Sequence, residues 1–189
     1  MFGLKKALKI FKRSVVLKSL GVASFFTFVA AYTAGSVAVQ DFKLQAGISL
    51  EWWGVLFIIA TTIGIFTPHI GMKISNRFKK TKNYLALSFL FLGVIYLLAI
   101  SSLNIFFVAI LTILFTISSD FYIPVEEKLY NKHPPSSQRA SVNSVKSMIE
   151  RVGVLLGMLV AGFLTDQLGG AVTIAIAALF VIPATMIVL

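Results

Sequence analysis

Apolar runs about twenty residues long alternate with short polar stretches along the whole chain. A helix crossing the hydrocarbon core of a bilayer needs about 20 mostly apolar residues. Six segments meet that length: Leu17 to Val39, Trp52 to Ile74, Tyr84 to Ile100, Leu103 to Tyr122, Val142 to Leu164, and Gly170 to Leu189. Within a run the helical period is weak, as expected for helices that face lipid on one side and neighbours on the other. The shorter alternating segments of a membrane barrel are absent. The pattern predicts an all-α polytopic membrane protein whose six transmembrane helices occupy residues 17–189. Residues 1–16 precede them as a basic leader. Leu4, Leu8, Phe11 and Val15 share a helical face there, with lysines opposite. That arrangement fits a helix lying at the membrane surface, or equally a solvated basic leader.

Composition agrees. Of 189 residues 58% are apolar and only 13% are charged, and the mean hydropathy is +0.92. A soluble core of this size has no room for that much apolar surface, so the surplus must face lipid. The formal net charge of +10 would suggest nucleic acid in a soluble protein, but here the cations sort by side. The leader, the second connection (Lys73, Arg77, Lys79, Lys80, Lys82) and the fourth (Lys128, Lys132, Arg139, Lys146) carry nearly all of them, whereas the opposite side carries Lys43 alone. This asymmetry predicts cytoplasmic N- and C-termini and makes a nucleic-acid partner unnecessary. There is no Cys, which excludes disulfides, thiolate catalysis and Cys-ligated zinc. His69 and His133 fall in different segments without ligand spacing, so no metal or other cofactor is expected. No nucleophile elbow, zinc-protease motif or phosphate-cradling loop is present, and the chain is not read as an enzyme.

Spans one to three and four to six form two triplets of similar length. The second helix of each ends in a glycine followed by a polar turn: Gly71 to Lys80 after span two, Gly162 to Gly170 after span five. The charge assignment puts one turn inside and the other outside, the mark of an inverted repeat. The stretch Gly71, Ser75, Arg77, Lys79, Lys80 resembles the loop motif of the major facilitator superfamily, with Ser75 where Asp is usual and Phe78 where Gly is usual. Pro135 to Ser144, with its Arg139-Ala140 pair, resembles the start of that family's helix eleven, and Gly153 to Gly169 resembles the helix itself, ending Gly-x-Leu-x-Asp. The chain thus resembles the C-terminal six-helix half of such a transporter. The resemblance implies a second six-helix half as partner, on the same or a separate chain. A truncated or split reading frame is the expected origin.

Charges within the membrane are costly and often functional. Asp120, Glu150 and Arg151 are expected at similar depth, with Asp120 and Arg151 paired as a structural contact or a gating latch. His69, after the kink expected at Pro68, is a further coupling candidate. The resemblance implies that the first helix of each triplet lines the substrate path. This points to Thr27, Phe28 and Tyr32 in span one and to Thr112, Thr116, Ser119 and Tyr122 in span four. Gly153 and Gly157 form a Gly-x-x-x-Gly suited to close helix packing. Trp52 and Trp53 fit the outer aromatic belt. Gly169-Gly170 reads as a tight turn, and Pro124 to Lys128 falls in the fourth connection. The expected function is transport of a small organic solute or drug by alternating access, as half of a secondary transporter in the plasma membrane, with efflux by proton antiport as the family's frequent mode. The alternative is a non-transporting membrane protein, a remnant or a partner subunit.

Overall fold

A computed structural model describes residues 2–189, with side chains from Leu8 onward. Helix α1 (Phe2–Arg13) precedes the spans. Span one is α2 (Val15–Gly35) and α3 (Val37–Gln45), broken at Ser36. Span two is α4 (Leu50–Gly64) and α5 (Thr67–Ser75). Spans three to six are α6 (Thr81–Leu97), α7 (Ile105–Lys132), α8 (Arg139–Leu168) and α9 (Gly170–Val188). Six segments are long and apolar enough to cross a membrane, and no strand occurs among the described residues.

Local chemistry sets the boundaries. Ser14 caps α2 by accepting from the Leu17 amide at 3.2 Å, and the Asn104 carbonyl oxygen accepts from the Phe106 and Phe107 amides at the start of α7. Such caps satisfy donors that a helix start leaves open. Pro68 sits in the first turn of α5, just after the break in span two, where a missing N–H costs nothing. Gly169 closes α8 with a φ of +78°, a conformation that favours glycine.

The helices pack in an exchanged pattern. Span one (α2) packs against spans five and six (α8, α9), span four (α7) against spans two and three (α4, α5, α6), and spans three and six against each other. A 3+3 inverted repeat produces this exchange. Glycine seats fix it. A Cβ on Gly153 would stand 2.7 Å from the Phe25 carbonyl oxygen, and one on Gly157 2.6 Å from that of Val29. In the other triplet, a Cβ on Gly71 would stand 2.5 Å from the Phe121 carbonyl oxygen, and one on Gly64 3.0 Å from the Asp120 carboxylate. Each triplet's first helix is therefore approached closely by the middle helix of the other. The interior is filled by Leu17, Phe42, Leu85, Phe89, Val108, Leu111 and Ile174. The outside presents Phe91, Leu159, Phe163 and Met186, an apolar surface that belongs in lipid.

Several sequence expectations change. Gly71 and Gly162 are not equivalent, because Gly162 has open space where Gly71 has backbone. Gly170 is more than a turn: it wedges against Ala38 and Phe42, and its amide donates to the Asp41 carboxylate at 2.6 Å. Asp41 and Lys43 lie in α3 and not in a loop. Spans four and five run well past the bilayer length, so Pro124 to Lys128 is helical and the fourth connection shrinks to residues near Ser136–Gln138. The leader is helical. Phe11 is buried, stacking near Tyr130 at 6.5 Å, while Leu8 and Val15 stay exposed; the Leu4 side chain lies outside the described set.

The seats are testable. Gly157→Ala should destabilise the purified protein by about 1–3 kcal/mol through overpacking, read as a lowered melting temperature in detergent. Gly162→Ala should leave it within about 0.5 kcal/mol. Equal effects would contradict the close approach of α8 to α2.

Candidate functional site

The hydroxyls of α7 recur at helical spacing. Thr112, Thr116 and Ser119 fall on one face, and that face opens on a cavity of about 520 Å³. The opposite wall is Tyr32, Gly35 and Val39 of span one with Gln40 and Lys43 of α3. Trp53, Leu56 and Phe57 enter from α4, and Leu92 and Tyr96 from α6. Drug-sized ligands occupy cavities of about 300–1,000 Å³ with mostly apolar walls and a few polar groups.

The polar groups have a direction. Thr112 donates to the Val108 carbonyl at 2.8 Å, Thr116 to Thr112 at 3.0 Å, Ser118 to Phe115 at 2.9 Å and Ser119 to Thr116 at 3.4 Å. Their protons are committed to their own helix, so their oxygens face the cavity as acceptors. Tyr122, packed edge-on to Phe89 at 5.1 Å, and Tyr96, edge-on to Phe115 at 5.6 Å, complete an aromatic lining.

Among the described residues, Lys43 is the one charged side chain that lines the cavity. It is 8% exposed, and its ammonium stands 3.8 Å from the centre of the Trp53 ring. The Trp53 indole N–H donates to the Ile48 carbonyl at 3.2 Å, which fixes the ring. Trp53 is therefore a cavity wall, whereas Trp52 remains exposed as a belt residue would be.

A second polar cluster lies where α2, α7 and α8 meet. The Glu126 side chain is buried, and its Oε1 receives the Ser24 hydroxyl at 2.5 Å. The same hydroxyl lies 2.9 Å from the Leu20 carbonyl and 3.2 Å from the Tyr130 hydroxyl. The Lys146 ammonium contacts Glu127 at 2.5 Å and Glu150 at 2.6 Å, and stands 5.1 Å from the centre of the Tyr130 ring. One cation thus answers two carboxylates, with a third close by on α7.

The predicted residues divide accordingly. Tyr32, Thr112, Thr116, Ser119 and Tyr122 line the cavity. Thr27 does not; it is fully buried and donates to the Ser24 carbonyl at 3.0 Å. Phe28 stacks on Tyr32 at 6.3 Å beside Gly153, outside the lining. Asp120 and Arg151 are not paired. Asp120 accepts from the Thr67 hydroxyl at 3.2 Å, Glu150 takes Lys146, and Arg151 is exposed. Arg151 falls on the outer side of α8. His69 is also exposed. In the loop motif, Gly71 seats α5 against α7, and Ser75 donates to the Met72 carbonyl at 2.8 Å. Phe78 packs edge-on to Tyr84 at 5.5 Å, while Arg77, Lys79 and Lys80 are exposed. Lys43, Glu126 and Lys146 went unsingled in the sequence. The four-residue spacing of Lys146 and Glu150, and of Tyr122, Glu126 and Tyr130, was the available signal.

Lys146→Met removes the only cation among the described residues that contacts Glu127 and Glu150 and should cost about 3–5 kcal/mol. Glu127→Gln, at a side chain 40% exposed, should cost less than about 1 kcal/mol. Thermal unfolding in detergent measures both, and equal losses would contradict a buried cluster organised by Lys146.

The sequence profile of the Major Facilitator Superfamily matches residues 20–189. No curated protein matches the chain, and no solved structure does. The matched region takes in all six spans and both polar clusters. The chain belongs to the major facilitator superfamily of membrane transporters.

Proposed function

We propose that this chain is the C-terminal six-helix half of a secondary active transporter in the plasma membrane, with both termini cytoplasmic. A second six-helix half closes the cavity from the open side. A small organic solute or drug then sits between the halves and crosses as one bundle rocks against the other. The observation that carries this reading is the cavity itself. Hydroxyls and aromatic rings from both triplets converge on one face, while the remaining faces are apolar. A protein that only anchored or filled space would have no reason to gather them.

Proton coupling is assigned to the cluster around Glu126, in place of the Asp120–Arg151 latch. Ser24 has one hydroxyl proton within reach of two acceptors, the Leu20 carbonyl and the Glu126 carboxylate. A proton arriving on Glu126 completes that set. The groups facing it are Ser24 from α2, Glu127 and Tyr130 from its own helix, and Lys146 and Glu150 from α8. A buried carboxyl among them can shift how α2, α7 and α8 pack when it gains or loses charge. The inward placement of Glu126 and Glu150 favours transport over the non-transporting alternative.

Proteoliposomes that hold this chain together with its second six-helix half, and contain a pH-sensitive dye, test both parts. A panel of organic solutes, added one at a time, should elicit proton movement for at least one member. Ser119→Leu, which fills the cavity, should reduce its flux at least tenfold. Glu126→Gln should abolish proton movement while leaving solute exchange. Solute exchange without proton movement in the unsubstituted protein would contradict the coupling. No exchange of any solute would contradict transport.

A further inference from the structure

We propose that the cavity selects an amphipathic organic anion, with its acidic head against Lys43 and its apolar body along the aromatic wall. This deepens the transporter reading and rests on it for the cavity being a substrate path. Lys43 is more than nine-tenths buried and lines the cavity. Both ion pairs among the described residues belong to Lys146, so no carboxylate there lies within 4 Å of the Lys43 ammonium. The nearest acid in sequence, Asp41, is committed elsewhere: it accepts from the Gly170 amide at 2.6 Å and from Gln45 at 2.7 Å. Among the described residues no Asp or Glu lines the cavity.

A buried ammonium without a counter-charge is costly. The face of Trp53 offsets part of that cost, and a bound anion supplies the rest. The rest of the lining fits the body of such a molecule. Trp53, Phe57, Phe115 and Tyr96 offer flat apolar contact, and the α7 hydroxyl oxygens accept from any donor that the body carries. A cation of the same shape meets the like charge of Lys43 and finds no acid to offset it.

The test needs no substitution at Lys43 in its first arm. The purified chain carrying Trp52→Phe leaves Trp53 as the sole indole. Three probes share one hydrocarbon body: 4-phenylbutyrate, 4-phenylbutanol and 4-phenylbutylamine. Titrated in detergent micelles, the anion should change Trp53 fluorescence saturably, with an affinity at least tenfold above the alcohol and the amine. Lys43→Gln should erase that preference and Lys43→Arg should keep it. An amine that binds as tightly as the acid, saturation by none of the three, or a preference that survives Lys43→Gln would overturn the proposal. Flux of the same probes in proteoliposomes that also hold the second six-helix half separates the two readings. Anion-selective binding without flux would sink the transporter reading and leave the anion site standing. Flux without anion preference would do the reverse.

Discussion

The structure depends on two helices being approached closely enough by their neighbours to hold a fixed rotation. Gly153 and Gly157 let α8 sit on the backbone of α2, and Gly71 lets α5 sit on the backbone of α7 at Phe121. In lipid, helices gain little from hiding apolar surface against one another, because the tails are equally apolar. Close backbone contact and the few polar contacts it permits must do the holding. At Gly71 the missing side chain leaves room for the Tyr84 hydroxyl to donate to the Phe121 carbonyl at 2.7 Å. With those backs held, the opposite faces of α2 and α7 can turn only one way, toward the cavity.

What each face carries then becomes functional by elimination. The bilayer gives polar groups no water, so each must find a partner within the bundle or line a space that water can enter. The α7 hydroxyls do both: they donate to their own helix and present oxygen to the cavity. The carboxylates of Glu126, Glu127 and Glu150 collect around Ser24, Tyr130 and Lys146, at the end of the bundle whose connections carry the basic residues. Lys43 stands apart from that cluster, under an aromatic ring. The molecule therefore separates an acidic cluster from the cationic wall of the cavity, with α2–α3 and α7 joining them.

Much of the architecture was legible in the sequence. Length and hydropathy located all six spans, because a bilayer imposes a length on any helix that crosses it. Gly153 and Gly157 were legible as a packing stripe, since small residues four apart have few other uses in such a helix. The helix ends were not. The apolar run of span four stops at Tyr122, but the helix continues to Lys132, where Glu127, Tyr130 and Asn131 meet Lys146, Ser24 and Asn143. Hydropathy marks the membrane, not the end of the helix, and so Glu126 and Lys146 looked like loop charges. Lys43 looked like the outer connection's lone cation for the same reason. The contacts that define both clusters join distant residues; Ser24 and Glu126 are 102 positions apart. A helix facing both lipid and neighbours shows little period, so nothing in the sequence said which side of α8 Arg151 would take.

The most direct measurement of the central claim is a single-cysteine scan along α7, for which the chain's lack of native cysteine is convenient. Cysteines at Thr112, Thr116 and Ser119 should react with a water-soluble maleimide in reconstituted membranes, whereas cysteines at Phe106 and Ile110, which face outward, should resist it. Equal reactivity along the helix, or labelling confined to the Phe106 and Ile110 positions, would mean that the hydroxyl face of α7 does not border a water-accessible cavity.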